Sequence, residues 1–530
     1  MPLSIRDRTL RLFPALLAIG LPLIGLALVG ADGNWDLRNY HLYNPHAWLH
    51  GREAIDVAPA QLQSWHNPLL DLPYYLLTIS GAPPLLGDLW LAAWAMLLLA
   101  TLLKLQRSLS TESPALLAQA VLAVLALSGA GIWSTFATTM NDVVVAAGVL
   151  GALCLLHGRH VAPRDVDWAW AGLAAGIVAG LKLTALFYCG ALAVATLCTG
   201  LASRRLPRLG WLTLGGVAGF LLSYGFWGWH LWQAHGNPLF PYFNQWFQSP
   251  DALSQAYADQ RFRPPTVLDA MLAPVALLRR SQHFSELWLR DPRMLLALVC
   301  FAWLAWRQRA AAFAETRFAV TRDDPAIVRR REAFAFLAVF TWTAAAVWAV
   351  QFGIYRYATA LEALGVLALV LMLQQAPRWR TALLLLAFLL VSADTKRPHW
   401  GRVAPAPRIA LSTLTLPKRA IVLATTDEPM GYLALALPDD VPFVSMYTNM
   451  AGLRDCTRLQ RKARAMLSDA SRPVFLASAP EGHPINAQRR ATAALGLVTA
   501  GACRPVSSTL GDAKLCPQRR AAPARACGAP

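Results

Sequence analysis

LFPALLAIGLPLIGLALVGA, residues 12–31, runs straight into DGNWDLRNYHLYNPHAWLHGREAIDVAPAQLQSWHNPLLD, residues 32–71, and this junction decides the fold. The first part has the length of a helix that crosses a bilayer. It is too long for the apolar core of a signal peptide, about 7–15 residues, so it reads as an uncleaved first helix behind a basic start. The second part is crowded with ionisable groups: Asp36, Arg38, His41, His46, His50, Arg52, Asp56, His66 and Asp71. Trp35, Trp48 and Trp65 lie among them, and tryptophan suits a membrane–water interface because its ring is apolar with one polar handle. Charges laid against a bilayer are costly, so their density here points to a site. Asn44-Pro45 is expected to interrupt a helix, Gly51 to end one, and PLLDLPYYLLTIS, residues 68–80, to lie in the interface as a short helix.

The rest of the chain repeats the first half of that junction. Of its 530 residues 56% are hydrophobic and only 15% charged, against roughly 25% in soluble domains. The fold class expected is a polytopic α-helical membrane protein with about 11 transmembrane helices. The net charge of +18 is not a nucleic-acid footprint, because the arginines gather in short turns between apolar runs: SRRLPR at 203–208, residues 307–331, and APRWR at 376–380. The positive-inside rule puts those turns in the cytoplasm. The N-terminus is then cytoplasmic, and residues 32–84 and 230–293 form two outer loops. Lys182 falls inside a long apolar run, where the chain is expected to turn; it either snorkels or pairs with an anion.

Residues 1–392 therefore read as a membrane domain and 393–530 as a small outer α/β domain with a Pro/Ala-rich tail. IVLAT, 421–425, and PVFLAS, 473–478, are its buried strands. Four cysteines, Cys456, Cys503, Cys516 and Cys527, lie in this polar part, and in an oxidising compartment they would form disulfides. Cys503 with Cys516 is the pairing expected first, since the loop between them closes easily; Cys456 with Cys527 is second. Without a CxxC pair, a zinc site is not indicated. No phosphate-binding glycine loop and no internal repeat occurs.

An uncleaved first helix, a long loop with an early aspartate and interfacial helices, and a further aspartate at the start of the fourth span resemble the membrane-embedded C-type glycosyltransferases (the GT-C fold). GNPLFPYFN, 236–244, and AGLKLT, 179–184, are similar to segments of bacterial members. The resemblance covers roughly the first 390 residues. It implies a glycosyltransferase of the bacterial cytoplasmic (inner) membrane, with its C-terminal domain periplasmic. The donor would be a sugar on a polyprenyl phosphate, transferred with inversion to a glycan, lipid or protein acceptor. Asp36 matches the catalytic loop aspartate and Asp142 the second acidic position. Both would be the ligands if a divalent cation, Mg or Mn, takes part; the acidic pair common in the family is missing, because Leu37 follows Asp36.

The residue chemistry fits that expectation. Glycosyl transfer needs a carboxylate to take the acceptor proton and cations to stabilise the leaving phosphate, for which arginine offers a planar fork. Asp36 suits the first task; Arg356, Lys182, Arg38 and His41 suit the second, with Tyr40 and His66 beside them for substrate binding. The structural reading of Arg356 is a pair with Glu362 or a headgroup contact. A transporter or flippase of lipid-linked or anionic substrates is the alternative, but such proteins place charges and broken helices at mid-membrane, often in repeated halves.

Overall fold

The computed structural model describes residues 5–279, 282–317, 324–404, 409–411, 414–478 and 485–523. Its contacts divide the chain into two compact units. A helical unit holds residues 1–29, 88–225 and 259–400, and a sheet unit holds 30–87, 226–258 and 401–530. This grouping differs from a cut at residue 392: the whole of the first loop, and part of the second, go with the C-terminal segment.

The principal helices, in chain order, are α1 (Ile5–Leu28), α2 (Pro84–Leu109), α3 (Leu116–Leu127), α4 (Ala130–Thr135), α5 (Asp142–His157), α6 (Asp165–Leu181) and α7 (Leu186–Cys198). They continue with α8 (Ala202–His235), α9 (Val267–Ala276), α10 (Arg293–Arg317), α11 (Pro325–Gln351), α12 (Thr359–Leu373) and α13 (Arg380–Asp394). Among the described residues four stretches are long and apolar enough to cross a membrane: α2, α8, α11 and Tyr355–Leu373, which contains α12. Leu12–Leu28, α3, α5, Leu183–Cys198 and α9 are shorter apolar helices.

Burial orders the helical unit. Every residue from Thr359 to Leu371 is buried, as expected of a helix apolar on all sides at the centre of a bundle. On α8, by contrast, Leu206, Leu214, Leu221 and Leu222 are exposed, the surface a helix offers to lipid. α8 meets α6 through glycines: a Cβ on Gly176 would lie 2.1 Å from the Gly216 carbonyl oxygen. Small residues let two backbones approach this closely, a common device in membranes.

The sheet unit is built on strands β1 (Ala31–Asp32), β2 (Arg402–Val403), β3 (Ile421–Ala424), β4 (Phe443–Ser445), β5 (Val474–Ser478), β6 (Leu497–Thr499), β7 (Arg504–Val506) and β8 (Ala513–Arg520). β1 and β2 pair with each other, antiparallel. The main sheet has the order β4-β3-β5-β8-β6, with β7 also on β8. β3 is parallel to β4 and β5, whereas β8 runs antiparallel to β5, β6 and β7. A disulfide joins Cys503, before β7, to Cys516 in β8, with sulfurs 1.93 Å apart. Cys527, and with it the pairing expected to Cys456, lies outside the described residues.

Much of the first loop is core here. Leu37, Tyr40, Leu42, Tyr43, Ala47 and Tyr75 share one buried cluster with Val422, Phe443, Tyr432 and Leu433. Arg52 and Asp56 fasten that contact: Arg52 forks onto both Asp56 oxygens at 3.1 and 2.9 Å and donates to the Val441 carbonyl at 2.9 Å. Asp56 in turn accepts from the Phe443 amide at 2.8 Å and the Tyr43 hydroxyl at 3.2 Å. The Asn44-Pro45 expectation is corrected. A helix runs through it, Tyr43–His50, because Pro45 falls in the first turn, where a missing N–H breaks no bond. Gly51, at φ 64°, ends that helix in the left-handed conformation.

Candidate active site

Three sequence-predicted residues meet in the helical unit. The chain turns between α4 and α5 through Ala137 and Asn141, at φ 48° and 64°, and Asp142 becomes the first residue of α5. A carboxylate at that end also opposes the positive end of the helix dipole. Lys182 is where α6 stops: its backbone is extended, and a single 3-10 turn, Leu183–Ala185, follows before α7. Arg356 sits in another 3-10 turn, Tyr355–Ala358, leading into α12.

The side chains converge on Asp142. Lys182 Nζ lies 2.5 Å from its Oδ1 and donates to the Met140 carbonyl at 2.6 Å. Arg356 Nη1 is 3.7 Å from Asp142 Oδ2, and its Nη2 is 3.5 Å from Glu286 Oε1. The Tyr357 ring faces both cations, 5.5 Å from Lys182 Nζ and 5.3 Å from the Arg356 guanidinium carbon, so its π face adds to their stabilisation. Thr359 donates to the Asp142 carbonyl at 3.1 Å and Tyr188 to the Tyr357 carbonyl at 2.9 Å. Asp142 is 2% exposed, while Lys182 and Arg356 keep 17% and 14% of their side-chain surface. The acid is thus the floor and the cations are the accessible part. Asp259 holds Arg261 at 2.7 Å. Partial burial works against the Asp259 carboxylate, but the Arg261 bonds and the charge of Arg356 keep its carboxyl below the usual range.

A buried charge network supports this corner. Glu362 accepts from the Gly131 and Ile132 amides at 2.8 and 3.0 Å, and Asp291 from the Ala130 amide at 2.7 Å. Asp291 pairs with Arg293 at 2.8 Å, both wholly buried. Arg293 reaches Thr395 and the Leu125 carbonyl. The break between α3 and α4 is therefore satisfied by side chains from distant segments. Gly129 stands at that break because a Cβ there would fall 1.6 Å from Glu362 Oε1. The Arg356–Glu362 pair weighed from the sequence is not formed; Glu362 serves the amides instead. Glu286, Tyr357, Asp291 and Arg293 are the residues sequence reasoning missed. Only Tyr357, next to Arg356, carried a local signal.

The remaining predicted residues belong to the sheet unit. Asp36 is 8% exposed and immediately precedes the π-helical segment Leu37–His41. The Arg38 guanidinium lies by Gly511, where a Cβ would be 3.2 Å from its Nη2. His41 Nδ1 is 2.8 Å from Asp71 Oδ2. Tyr40 packs on His41 and edge-on to His66, centroids 4.0 and 5.1 Å apart, and His66 Nε2 meets the Tyr242 hydroxyl at 2.9 Å. Tyr40, His41 and His66 are thus brought together with each other.

For a divalent cation the fit is poor. Among the described residues no three His, Cys, Asp or Glu side chains form a metal-binding group, and the near neighbours of the Asp142 carboxylate are two cations, which repel a metal.

Residues 68–322 match the model of Glycosyltransferase family 87. That stretch contains Asp142, Lys182 and Glu286 and leaves out Asp36 and Arg356. No curated protein and no solved structure matches the chain.

Proposed function

We propose that this protein is a membrane glycosyltransferase that takes a sugar from a polyprenyl-phosphate donor and passes it to a hydroxyl acceptor at the outer face of a bacterial inner membrane, inverting the anomeric centre. The observation that carries this reading is the Asp142–Lys182 pair itself, both ends of which lie in the stretch similar to a glycosyltransferase family. Lys182 and Arg356 receive the donor phosphate. As the bond from the anomeric carbon to the phosphate oxygen breaks, charge grows on that oxygen, and fixed cations stabilise it most when they need no reorganisation. Asp142 is the positioning residue: a carboxylate between two cations aims them better than it accepts a proton. Glu286 restrains the guanidinium of Arg356 from the other side. No step runs through a metal.

The base is a separate assignment resting on sequence order. Asp36, just after the first helix, takes the proton from the acceptor hydroxyl as its oxygen bonds to the anomeric carbon. The test is transfer of radiolabelled sugar from a polyprenyl-phosphate donor by purified protein in liposomes. Transfer that fails in Lys182→Gln while donor-lipid flipping is absent supports the reading. Flipping of the lipid without any transfer would establish the transporter instead.

A further inference from the structure

The far end of the helical unit holds a second polar cluster that the proposed reaction does not use. α5 begins at Asp142 and ends at His157, about 22 Å along the helix at 1.5 Å per residue. α6 returns from Trp168, in its first turn, to the break at Lys182. At the His157 end five helix termini meet. Arg329, near the start of α11, grips Ser108 on the last turn of α2, donating to its hydroxyl at 3.2 Å and its carbonyl at 2.7 Å. Ser108 donates to the Arg159 carbonyl just past α5 at 2.7 Å. Phe336 of α11 touches both His157 and Trp168, centroids 4.9 and 5.9 Å away. The Arg208 guanidinium, from the start of α8, covers the Trp168 ring at 5.3 Å, and Arg208 and Arg329 both act electrostatically on His157.

What distinguishes this cluster is an excess of buried donors. The Nε atoms of Arg208 and Arg329, the indole nitrogen of Trp168 and Nε2 of His157 are buried without a hydrogen-bond partner. Trp168 is 3%, His157 6% and Arg329 7% exposed. Arginine and indole nitrogens can only donate, and a buried donor left unmade costs about 1–3 kcal/mol. The carboxylates of this end are engaged elsewhere: Asp167 with Arg159 and Arg164, Asp165 with Arg204. Among the described residues none pairs with Arg208 or Arg329. Water could satisfy single donors but would leave two guanidinium charges uncompensated.

We infer that this end of the bundle binds a phosphate group, supplied by the headgroup of an anionic phospholipid in the leaflet that faces the arginine-rich turns. A phosphate offers several oxygens to arginine and indole donors at once and neutralises the charge. The cluster sits on helix ends, where headgroups lie. The site is independent of the sugar-transfer reading and about a helix length from its cations.

The full chain is reconstituted in nanodiscs of phosphatidylcholine, and in nanodiscs of equal parts phosphatidylcholine and phosphatidylglycerol. Thermal unfolding and lipid retained on release, by native mass spectrometry, are read. Phosphatidylglycerol is expected to stay bound and to raise the unfolding midpoint. Arg329→Gln should weaken retention about tenfold and Trp168→Phe, which keeps the ring packing and removes one neutral donor, about threefold. Should Arg329→Gln misfold for loss of its grip on Ser108, Arg208→Gln and Trp168→Phe carry the test. Inorganic phosphate producing the same shift in pure phosphatidylcholine would keep the phosphate site and assign it to a soluble ligand. Equal midpoints in both nanodiscs with no effect of phosphate, or retention unchanged in the variants, overturns the inference. Sugar transfer by Trp168→Phe should equal wild type.

Discussion

Asp56 in the sheet unit and Asp142 in the helical unit are both carboxylates facing arginine, yet they are made differently. Asp56 is closed on all sides: a bidentate arginine fork, a backbone amide and a tyrosine hydroxyl occupy it, and Arg52 is only 2% exposed. Asp142 meets its arginine at 3.7 Å, and the two cations around it stay partly open. A buried pair that is fully bonded fixes a fold, because removing one member strands the other. A buried acid under accessible cations instead leaves those cations facing whatever enters. The charges look alike in the sequence; the completeness of their bonding separates structure from chemistry.

The comparison breaks first at Asp56. Asp56→Ala is expected to destabilise the sheet unit by about 3–5 kcal/mol, read as loss of folded protein in thermal unfolding. A variant folded like wild type would show that the closed pair is not structural. Next comes Asp36→Asn, which keeps size but removes basicity; transfer should fall at least about a hundredfold while the protein stays inserted. Asp71→Asn, facing His41, should be milder. A wild-type rate in Asp36→Asn with Asp142→Asn dead would move the base to α5.

Arg356 sharpens the open side of the comparison. Arg356→Ala should lose transfer about thirtyfold, Arg356→Lys only a few-fold, and both should unfold at the wild-type midpoint, since Asp142 keeps Lys182. Equal loss in the two would show that charge alone is not what matters there.

The smallest effect is in pH. Burial first, and then the charges of His50 and Arg52, push the His46 imidazole down to about 4 from 6.5. Between those values the unfolded chain binds the proton and the folded one does not, so stability falls as pH drops from 6.5 towards 4 and is flat above. His46→Gln should flatten that part of the midpoint-against-pH curve. An unchanged slope would assign the acid sensitivity to another group.

Length and polarity made the helices readable, and a lysine inside an apolar run marked the break at 182, because a charge there needs a partner or an exit. Asp142 and Arg356 were readable from their places at the ends of apolar runs. Their partners were not. Glu286 reaches Arg356, and Arg293 reaches Leu125, across long stretches of chain that carry no local periodicity linking them. The first loop read as a site at the membrane interface because ionisable groups and tryptophans are dense in it; nothing in that pattern says that Leu37, Tyr43 and Tyr75 complete a core with residues near 430. Pro45 misled for a simpler reason: the rule against proline applies past the first turn.

β8 pairs with β5, β6 and β7 and is the last in chain order of the described strands. During synthesis, then, residues 30–87 emerge long before the sheet that packs with them can close. The ribosome must deliver every helix in between while Tyr43, Tyr75 and Leu37 still lack part of their core. The core that Leu37, Tyr43 and Tyr75 share with Ala513 and Leu515 is therefore completed only once translation has passed β8.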